Sequence, residues 1–551
     1  MSNAAIYLHP NAFDTTGKAL LGRHSAGESF LRGFLRHGEV DRFHLWNASN
    51  APQANLEALV DRVAPDRAHP IRWLGPFARN ALDDPGVMYR PDSALDQEAW
   101  LRLPIGRRTY ALCGVTHTTA SATVMRILSN LLVAPLEPYD ALICTSAAVR
   151  AAVEVQLDMM RDYLKAEFGE RTRPELMRTT IPLGVNAAEF TPDPTQRAAW
   201  RARLGIADDA VVALYVGRFD VRAKMNPGLM ALALERAARR ASRPIVWLNS
   251  GWFEPADGAA AFHDQVRALC PSVRYLHVDG RPADTRFSIW AAGDFFISFS
   301  DNIQETFGLT PVEAMAAGLP CVVSDWNGYK DTVRHGVDGF RVPTLAPRPG
   351  FGGDLAYWFA NNWLNYENYV GATAQSVAVD LAEAETAILA LVDDEDRRRT
   401  MGAAAARQAR QVFDWAAVIP QYQALWAEQD ARRRAAAPDT RPRIIPHAPD
   451  PYTLFGGYPT RHQQKTDVVT LVPGMDWTLA QARLAGPLAA YARLNRPTLE
   501  EVERVIGRLA TDGPTVALDL LQHFPGPRRN FVERGLIWLA RHDVISIRPA
   551  A

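Results

Sequence analysis

The stretch ETFGLTPVEAMAAGLP, residues 305–320, predicts a loop, a helix and a helix stop in direct succession. The helix should begin near Leu309. It should end at Gly318, because glycine suits the left-handed cap position and Pro320 cannot continue a helix. This segment therefore predicts one helix with a defined start and a defined end.

Short apolar runs flank this helix, residues 295–299 before it and residues 321–324 after it. Both are of the length expected for buried strands. Strand, loop, helix and strand in this order predict a parallel βαβ unit, whose ligands bind beyond the carboxyl ends of the strands. The loop at residues 301–308 is therefore a candidate site.

The residue types in and after this loop indicate its chemistry. Gly308 allows close approach of a ligand, and the backbone amides of Phe307, Gly308 and Leu309 lie at a helix N-terminus, which favours an anion such as phosphate. Glu305 can face the same crevice, and Glu313, one turn into the helix, can accept hydrogen bonds from a ribose diol. Together these groups suggest a nucleotide sugar; the alternative is that both glutamates are merely solvated.

The spacing of Glu305 and Glu313, E-x7-E, resembles the donor-site signature of the family 4 retaining glycosyltransferases, which have the GT-B fold. The resemblance implies that Glu305 contacts the transferred sugar as a catalytic residue and that Glu313 contacts the ribose. Further segments resemble the family in the expected order and extend the likeness over residues 1–429: IPLGVNAAEF at 181–190, YVGRFDVRAK at 215–224, and SDWNGYKDTV with HGVDGF at 324–340.

Arg218 and Lys224 are the residues that the resemblance assigns to the donor diphosphate. The chain offers independent support, because both follow an apolar strand at residues 211–216, and Asn226 with Pro227 reads as the start of the next helix. Fixed cations at such a βα loop would stabilise the charge that develops on a leaving diphosphate. The arginine-to-lysine spacing is one residue longer than the usual family pattern, which leaves the direction of Lys224 open.

The amino-terminal part also begins with a predicted βα unit, which ends before Gly38. Its loop, GKALLGRHSAGES at residues 17–29, resembles the family's first glycine loop, and Gly22, Arg23 and Gly27 are its candidate working residues. The alternative is that these glycines only turn the chain.

His117 follows a predicted buried strand at residues 110–116. It resembles the family's active-site histidine near the hydroxyls of the sugar, although many relatives have an aspartate where this chain has Thr118. A structural histidine at a strand end is the alternative.

The mechanism that the resemblance implies is retaining transfer from a UDP- or GDP-sugar, in which the departing phosphate accepts the proton of the acceptor. The base of the nucleotide would lie near HVDGRP, residues 277–282. We expect no cofactor and no metal, because the sequence has no HExxH, paired CxxC or calcium-loop pattern. The expected acceptor is a glycan, a lipid-linked molecule or a related compound, in surface polysaccharide or glycoconjugate synthesis.

The predicted fold class is α/β: two Rossmann-like lobes in the GT-B arrangement facing a cleft, plus a small, mainly helical, winged-helix-like domain at the C-terminus. The predicted boundaries are an acceptor lobe at residues 1–185, a donor lobe at 186–429, a Pro/Arg-rich connector at 430–475 and the helical module at 476–551.

Composition describes an ordinary soluble protein, with 48% apolar and 22% charged residues. A net charge of −1 argues against bulk nucleic acid as a partner. The start lacks a signal-peptide pattern and no apolar run is long enough to span a membrane, so we expect a cytoplasmic location, with peripheral contact at the inner membrane face left open. Cys113, Cys144, Cys270 and Cys321 fall in apolar surroundings that indicate core positions in a reducing compartment.

The final segment, residues 498–551, predicts three helices and a strand, beginning with a capping box at Thr498 and Glu501. Its seven arginines (504, 508, 528, 529, 534, 541, 548) are balanced by seven acids (500, 501, 503, 512, 519, 533, 543). DNA-binding domains normally show a basic excess, so self-association or protein docking is favoured over DNA binding.

Two hypotheses from different classes remain at this stage. One is a cytoplasmic retaining glycosyltransferase with a C-terminal interaction module. The other is a non-catalytic nucleotide-sugar sensor whose tail binds DNA or a partner protein. Among enzymes, a phosphorylase or a sugar-nucleotide epimerase of the same fold is a further alternative.

Overall fold

The computed structural model describes residues 3–14, 22–49, 51–169, 175–224, 226–253, 259–491 and 496–550, with the backbone alone at 22, 23 and 283. The chain divides into two compact units, Met1–Ile445 and Pro446–Ala551. Each unit has its own hydrophobic core and is described separately below.

The first lobe of the larger unit is built on a seven-stranded sheet with the order β3-β2-β1-β4-β5-β6-β7, and every neighbouring pair is parallel. The strands are β1 Ala5–Leu8, β2 Phe43–Asn47, β3 Ile71–Leu74, β4 Val87–Arg90, β5 Ala111–Val115, β6 Ala141–Cys144 and β7 Met177–Thr180. The helices are α1 Pro10–Phe13, α2 Gly22–His37, α3 Gln53–Val63, α4 Leu95–Arg102, α5 Ala122–Asn130 and α6 Ala147–Phe168. The short apolar runs form the strands because a parallel sheet covered on both faces by helices buries both sides of each strand.

The second lobe has a six-stranded parallel sheet with the order β10-β9-β8-β11-β12-β13. Its strands are β8 Val211–Val216, β9 Ile245–Gly251, β10 Arg274–Asp279, β11 Phe295–Ser298, β12 Cys321–Ser324 and β13 Gly339–Val342; a two-stranded ladder of β14 Thr344–Leu345 and β15 Ala378–Val379 follows. Its helices are α7 Pro194–Leu204, α8 Pro227–Ala238, α9 Ala259–Leu269, α10 Ala283–Ser288, α11 Leu309–Ala316, α12 Tyr329–Thr332, α13 Gly353–Ala360, α14 Tyr366–Ala374, α15 Leu381–Val392 and α16 Glu395–Gln408. The predicted pair of parallel-sheet α/β lobes is confirmed.

Helix α17, Trp415–Ala435, returns from the second lobe to the first. Trp415, Tyr422 and Trp426 are fully buried in the core of the first sheet, which explains why this helix belongs to that lobe although it is distant in sequence. The helix spans 21 residues and contains Pro420.

The local signals that decided the fold are confirmed in the structure. Helix α11 begins at Leu309 after Gly308, whose φ is 87°, and the helix is closed by Gly318, whose φ is 78°. Asn226 caps α8 through a hydrogen bond from the Gly228 amide to its side chain (2.9 Å), and Pro227 is the first helical residue. These glycine and capping positions end and start the helices, so both predicted βα loops lie at the carboxyl edge of the second sheet.

The smaller unit combines a three-stranded antiparallel sheet, of order β17-β16-β18, with helices that pack against it. Its elements are α18 Pro451–Leu454, β16 Val468–Leu471, α19 Trp477–Ala485, α20 Leu499–Asp512, β17 Thr515–Val516, α21 Ala517–Gln522, α22 Gly526–Arg541 and β18 Ile545–Arg548. The Thr498–Glu501 capping box is present. Strand β16 lies within the stretch that the sequence assigned to a connector, because its partners β17 and β18 come from the end of the chain.

Two further features bear on the sequence analysis. All four cysteines are buried and unpaired, as core positions predict. Within the described ranges, no helix combines the length and the apolar character needed to cross a lipid bilayer.

Candidate active site

The carboxyl edges of the two sheets face each other across the larger unit. Ser146, which follows β6, donates its hydroxyl to the Thr306 carbonyl oxygen after β11 (2.7 Å). The Ala147 amide donates to the Asp331 carboxylate after β12 (2.6 Å). These contacts join loops at the carboxyl ends of both sheets, and ligands of open α/β sheets bind at that edge.

Lys224 and Glu305 meet at this edge. The Lys224 Nζ lies 3.8 Å from the Glu305 Oε2, and the other carboxylate oxygen of Glu305 accepts a hydrogen bond from the Thr306 amide (3.2 Å). Both side chains are partly exposed, at 32% for Lys224 and 21% for Glu305, so a ligand can reach them. The open question of where Lys224 points is thereby answered: it is directed towards the glutamate of the neighbouring loop.

Arg218 lies beside this pair at the end of β8. Its guanidinium is 3.7 Å from the Asp220 carboxylate, and only 18% of its side chain is exposed. The buried Tyr215 phenol lies near both loops: burial raises its pKa most, Glu305 raises it further and the Arg218 charge opposes them. Arg218, Lys224 and Glu305 therefore form one charged cluster.

The start of α11 has a geometry that only glycine permits. A Cβ at Gly308 would overlap the ring of Tyr329, whose hydroxyl is 2.9 Å from the Ser298 hydroxyl. Gly308 supplies no side-chain cap to the helix. The first-turn amide of Leu309 is thus left to face the loop, and this suits an anion.

Phe307 has a different role from its two neighbours. Its side chain is 1% exposed and packs against the ring of Phe413, with centroids 5.9 Å apart. Any contact between Phe307 and a ligand is therefore restricted to its backbone.

Glu313 lies one turn into α11, away from the Lys224–Glu305 pair and close to charges of other elements. Burial raises the pKa of its carboxyl to about 7; the Arg286 guanidinium opposes this shift and the Glu189 carboxylate adds to it. Arg286 also reaches across to the Ser25 hydroxyl of α2 (3.5 Å). Glu313 therefore faces the junction of the two lobes, where a carboxyl near neutral pKa can change its protonation on ligand binding.

His117 follows β5 on the opposing edge of the cleft. Its Nε2 lies 3.1 Å from the Pro91 carbonyl oxygen, and its neighbour Thr118 places its hydroxyl 3.3 Å from the Tyr366 hydroxyl of α14. Thr118 thus contacts the second lobe.

The first glycine loop differs from its prediction. Residues 22 and 27 lie in helix α2, not in a loop, and a Cβ at Gly27 would overlap the Ala12 carbonyl oxygen, so this glycine allows α1 and α2 to pack closely. The side chain of Arg23 and residues 15–21 lie outside the described residues.

The proposed base region, residues 277–282, comprises the last three residues of β10 and the residues that follow it. His277 contacts the Gly251 carbonyl oxygen (3.1 Å) and packs against the ring of Phe219, with centroids 5.5 Å apart. Arg281 is paired with Asp279 (2.7 Å). This region therefore flanks the edge that carries Arg218.

Asp301 and Asn302 begin the 301–308 loop, and the sequence analysis did not single them out as individual site residues. Asp301 is 3% exposed, and burial raises the pKa of its carboxyl to about 7. Asn302 is fully buried and donates to the Arg222 carbonyl oxygen in the neighbouring loop. The sequence signal for these two residues was their position, because polar residues directly after an apolar strand lie at the edge of the sheet. Their burial could not be predicted, because it depends on the packing of helices distant in sequence, such as α8 and α14.

A search of the described residues finds no group of histidine, cysteine or acidic side chains arranged to hold a metal ion.

Comparison with known proteins supports one class of protein. Residues 210–348 match the protein family described as Glycosyl transferases group 1. The matched part contains Arg218, Lys224, Glu305 and Glu313, the residues placed at the edge of the second sheet. The class that this match supports is a glycosyltransferase.

Among individual relatives, the chain is similar to the D-inositol 3-phosphate glycosyltransferase of Thermobispora bispora, with 26% identity over 368 residues, 64% of this chain and 74% of the relative. The protein of the same name from Geodermatophilus obscurus is 34% identical over 184 residues, 30% of this chain and 37% of the relative. That from Jonesia denitrificans is 31% identical over 181 residues, 32% of this chain and 41% of the relative. The latter two matches span less than half of each relative.

Two solved structures are also similar. Anabaena HepE in complex with UDP and glucose has 17% identity and a TM-score of 0.48, covering 76% of this chain and 98% of that one. Sucrose-phosphate synthase from Thermosynechococcus elongatus has 17% identity and a TM-score of 0.47, covering 78% and 100%. The strand order of the two parallel sheets defines the fold of this chain independently of these similarities.

Proposed function

We propose that this protein is a retaining glycosyltransferase of the family 4 type that transfers a sugar from a UDP- or GDP-sugar to an acceptor. The observation that carries the proposal is the approach of Lys224 to Glu305, at 3.8 Å, at the carboxyl edge of the second sheet. A cation for the diphosphate and a carboxylate for the sugar are thereby held in one place, beside the amide groups at the start of α11.

Each residue has a role in this proposal. Arg218 and Lys224 bind the diphosphate together with the backbone amides of Phe307, Gly308 and Leu309. The two glutamates of the E-x7-E pair contact the other parts of the donor: Glu305 orients and stabilises the sugar, and Glu313 accepts hydrogen bonds from the ribose. His117 contacts the sugar hydroxyls from the first lobe.

The reaction breaks the bond between the anomeric carbon and the diphosphate oxygen and forms a bond between that carbon and the acceptor oxygen on the same face. The proton of the acceptor hydroxyl passes to the departing diphosphate oxygen. Positive charge on Arg218 and Lys224 stabilises the diphosphate more as its negative charge grows, which lowers the barrier. The proposed reaction uses no metal ion.

The proposed setting is surface polysaccharide or glycoconjugate synthesis in the cytoplasm, with an acceptor that is a glycan or a lipid-linked molecule at the inner membrane face. Four buried, unpaired cysteines are consistent with a reducing compartment. An inositol phosphate is a further candidate acceptor, because the relatives carry that substrate in their names.

We further propose that the smaller unit is a winged-helix-like docking or dimerisation module. Helices α20, α21 and α22 with the β17-β16-β18 sheet favour this comparison. Arg483, Arg508 and Arg528 are each paired with a carboxylate of the same unit, which reduces the positive charge available to a DNA backbone.

The test is a thermal-shift titration with UDP, GDP, ADP and CMP. A ligand at a hundred times its dissociation constant stabilises a folded protein by about 2.7 kcal/mol, which is measurable as a shift of several degrees. We expect one diphosphate to stabilise the intact chain and Glu313→Ala to lose that shift. Glu383→Ala, which removes an exposed glutamate of α15, should keep it.

If no nucleotide stabilises the chain, the donor site is wrong and the sensor hypothesis loses its ligand as well. A nucleotide shift without any transfer to glycan, lipid-linked or inositol phosphate acceptors would instead favour the sensor.

A further inference from the structure

An aromatic surface stands beside the proposed donor site. The chain leaves the second lobe after β14 and returns at β15, and these short strands pair with each other (Leu345 opposite Ala378), so residues 346–377 form a closed excursion. Helix α13 within it contains no buried residue. We name as the aromatic platform its four exposed rings, with their exposed fractions: Phe351 64%, Tyr357 58%, Trp358 39% and Trp363 67%.

The platform is attached to the donor loop through α14. The Arg222 guanidinium, between Arg218 and Lys224 in sequence, donates to the Asn368 side chain (3.3 Å). From the other lobe, Thr118 contacts Tyr366 (3.3 Å). The excursion therefore borders the cleft at the point where both lobes meet, within reach of an acceptor that extends out of the donor site.

The rings are held in defined positions. Phe359 of α13 stacks on Tyr369 of α14, with centroids 4.1 Å apart and planes inclined by 2°. Asn362 has a left-handed conformation, φ 59°, that ends α13 and turns the chain, so that Trp363 meets Tyr357 edge to face with centroids 5.8 Å apart. Rigid, amphipathic rings lose little conformational entropy on binding.

The chemistry of the segment favours a neutral, hydroxylated ligand. Residues 346–377 contain one basic residue, Arg348, and two acidic residues, Asp354 and Glu367, which gives a net charge of −1. The Arg348 guanidinium lies over the Phe351 ring, 4.3 Å from its centroid, so this cation is already engaged by the platform itself. Membrane surfaces with anionic lipids attract basic segments, so this net negative charge disfavours a lipid surface. Asn361 and Asn362 are exposed and lie between Phe359 and Trp363 in sequence. The Asn361 amide donates one hydrogen bond to the Tyr357 carbonyl oxygen (2.8 Å), and the remaining amide groups of the two residues can exchange hydrogen bonds with hydroxyl groups.

An exposed apolar surface of this kind marks a binding site in a soluble protein. Sugar rings present flat C–H faces to aromatic rings and hydroxyl groups at their edges, which matches rings interspersed with amides. We propose that the aromatic platform binds the sugar rings of a neutral glycan acceptor, which places the acceptor hydroxyl in the donor site. This inference rests on the proposed function, and it narrows the acceptor from the several classes above to a glycan chain.

The test measures binding of neutral hexasaccharides with maltose-, cellulose-, chitin- and mannan-type linkages, and of galactan, to the full chain by calorimetry. We expect at least one of them to bind, and Trp363→Ala and Tyr357→Ala each to weaken the dissociation constant about tenfold or more, as central aromatic anchors typically do. Trp363→Phe should restore part of the affinity. The matched control is Phe77→Ala, which removes an 86% exposed ring of the first lobe and should leave binding unchanged.

Every variant changes an exposed ring, and its fold is checked by the nucleotide thermal shift, which should equal that of the intact chain. If the nucleotide shift is present and no oligosaccharide binds, the platform assignment is overturned while the proposed function stands. If the nucleotide shift is absent from the intact chain, the proposed function itself fails.

Two other results would also overturn the inference. Binding to phosphatidylglycerol–phosphatidylcholine vesicles that is lost in Trp363→Ala would assign the platform to a membrane. A dimer of the intact chain, measured by light scattering, that becomes a monomer in the same variant would assign it to a second copy.

Discussion

At the scale of single residues, the site depends on how burial and charge tune two glutamates differently. Glu305 is partly exposed and lies near the Lys224 ammonium group, so it has a cation to stabilise its charge. Glu313 is shifted by burial, which raises its pKa to about 7. Two carboxyl groups of one short segment thus have different surroundings, which suits the different roles proposed for them: Glu305 beside the sugar and Glu313 beside the ribose.

The first residue-scale prediction concerns Glu305. Glu305→Gln removes the negative charge beside the sugar while keeping the size of the side chain, so the transfer rate should fall about a hundredfold, as the loss of a preorganised transition-state contact typically does. Nucleotide affinity should change little. The measurement is the transfer rate under saturating donor, compared with Glu383→Gln as a control; normal turnover by Glu305→Gln would refute its role.

The second residue-scale prediction concerns the pH dependence of nucleotide binding. The Glu313 carboxyl is protonated below about pH 7 in the free protein, and hydrogen bonds from a ribose diol favour the charged form, so binding lowers its pKa. Affinity should therefore rise as pH increases through 7 and then level off, by at most about tenfold per pH unit below 7.

Glu313→Gln provides the comparison, measured by calorimetry between pH 5.5 and 8.5. Ionisation of the nucleotide itself affects both proteins equally, so the difference between their profiles isolates Glu313. Identical profiles would remove the ribose assignment.

At the scale of elements, Trp415 packs the start of helix α17 against the first lobe. Trp415 is fully buried, and it donates its indole N–H to the Ser29 hydroxyl of α2 (2.7 Å). A Cβ at Gly33 or at Gly184 would overlap its ring. Two glycines from distant parts of the chain thus form the slot that accepts the indole.

Gly33→Ala should destabilise the larger unit by about 1–3 kcal/mol, because overpacking a filled core forces a buried ring or a helix to move. The control is Gly353→Ala in α13, where an added Cβ meets nothing within 4 Å. The melting temperatures of both variants are measured by calorimetry on the full chain. Equal melting temperatures for the two variants would contradict the packing argument.

At the scale of the whole molecule, the chain consists of two units with separate cores. The smaller unit buries residues from strands β16 and β18 and from helices α19 to α22, among them Val469, Val502, Leu520, Leu536 and Ile545. A unit that buries its own apolar surface is expected to fold by itself.

The fragment Pro446–Ala551 should therefore show a cooperative thermal transition by circular dichroism, and Met1–Ile445 should keep the nucleotide-dependent shift of the full chain. A non-cooperative transition of the short fragment, or loss of the shift from the long one, would show that the two units depend on each other. A fully scrambled fragment of the same composition serves as the unfolded reference.

The prediction from sequence was most accurate where a local signal determines a local structure. The limits of α11 and α8 follow from Gly308, Gly318 and Asn226, because these residues adopt cap conformations largely independent of distant contacts. The glycine loop was less predictable. Gly27 has the same local appearance as a phosphate-loop glycine, but the close approach of α1 makes it a packing position inside a helix.

The sequence by itself determined the α/β class, the order of strands and helices around residues 305–320, the capping of the terminal module and the candidate residues Arg218, Lys224, Glu305 and Glu313. Each of these follows from residue type and short-range spacing. Only the tertiary structure decided that Lys224 points to Glu305, that Glu313 is buried enough to titrate near pH 7, and that α14 holds an aromatic platform beside the donor loop. Orientation and burial depend on contacts between residues far apart in the chain, and a linear pattern does not contain them.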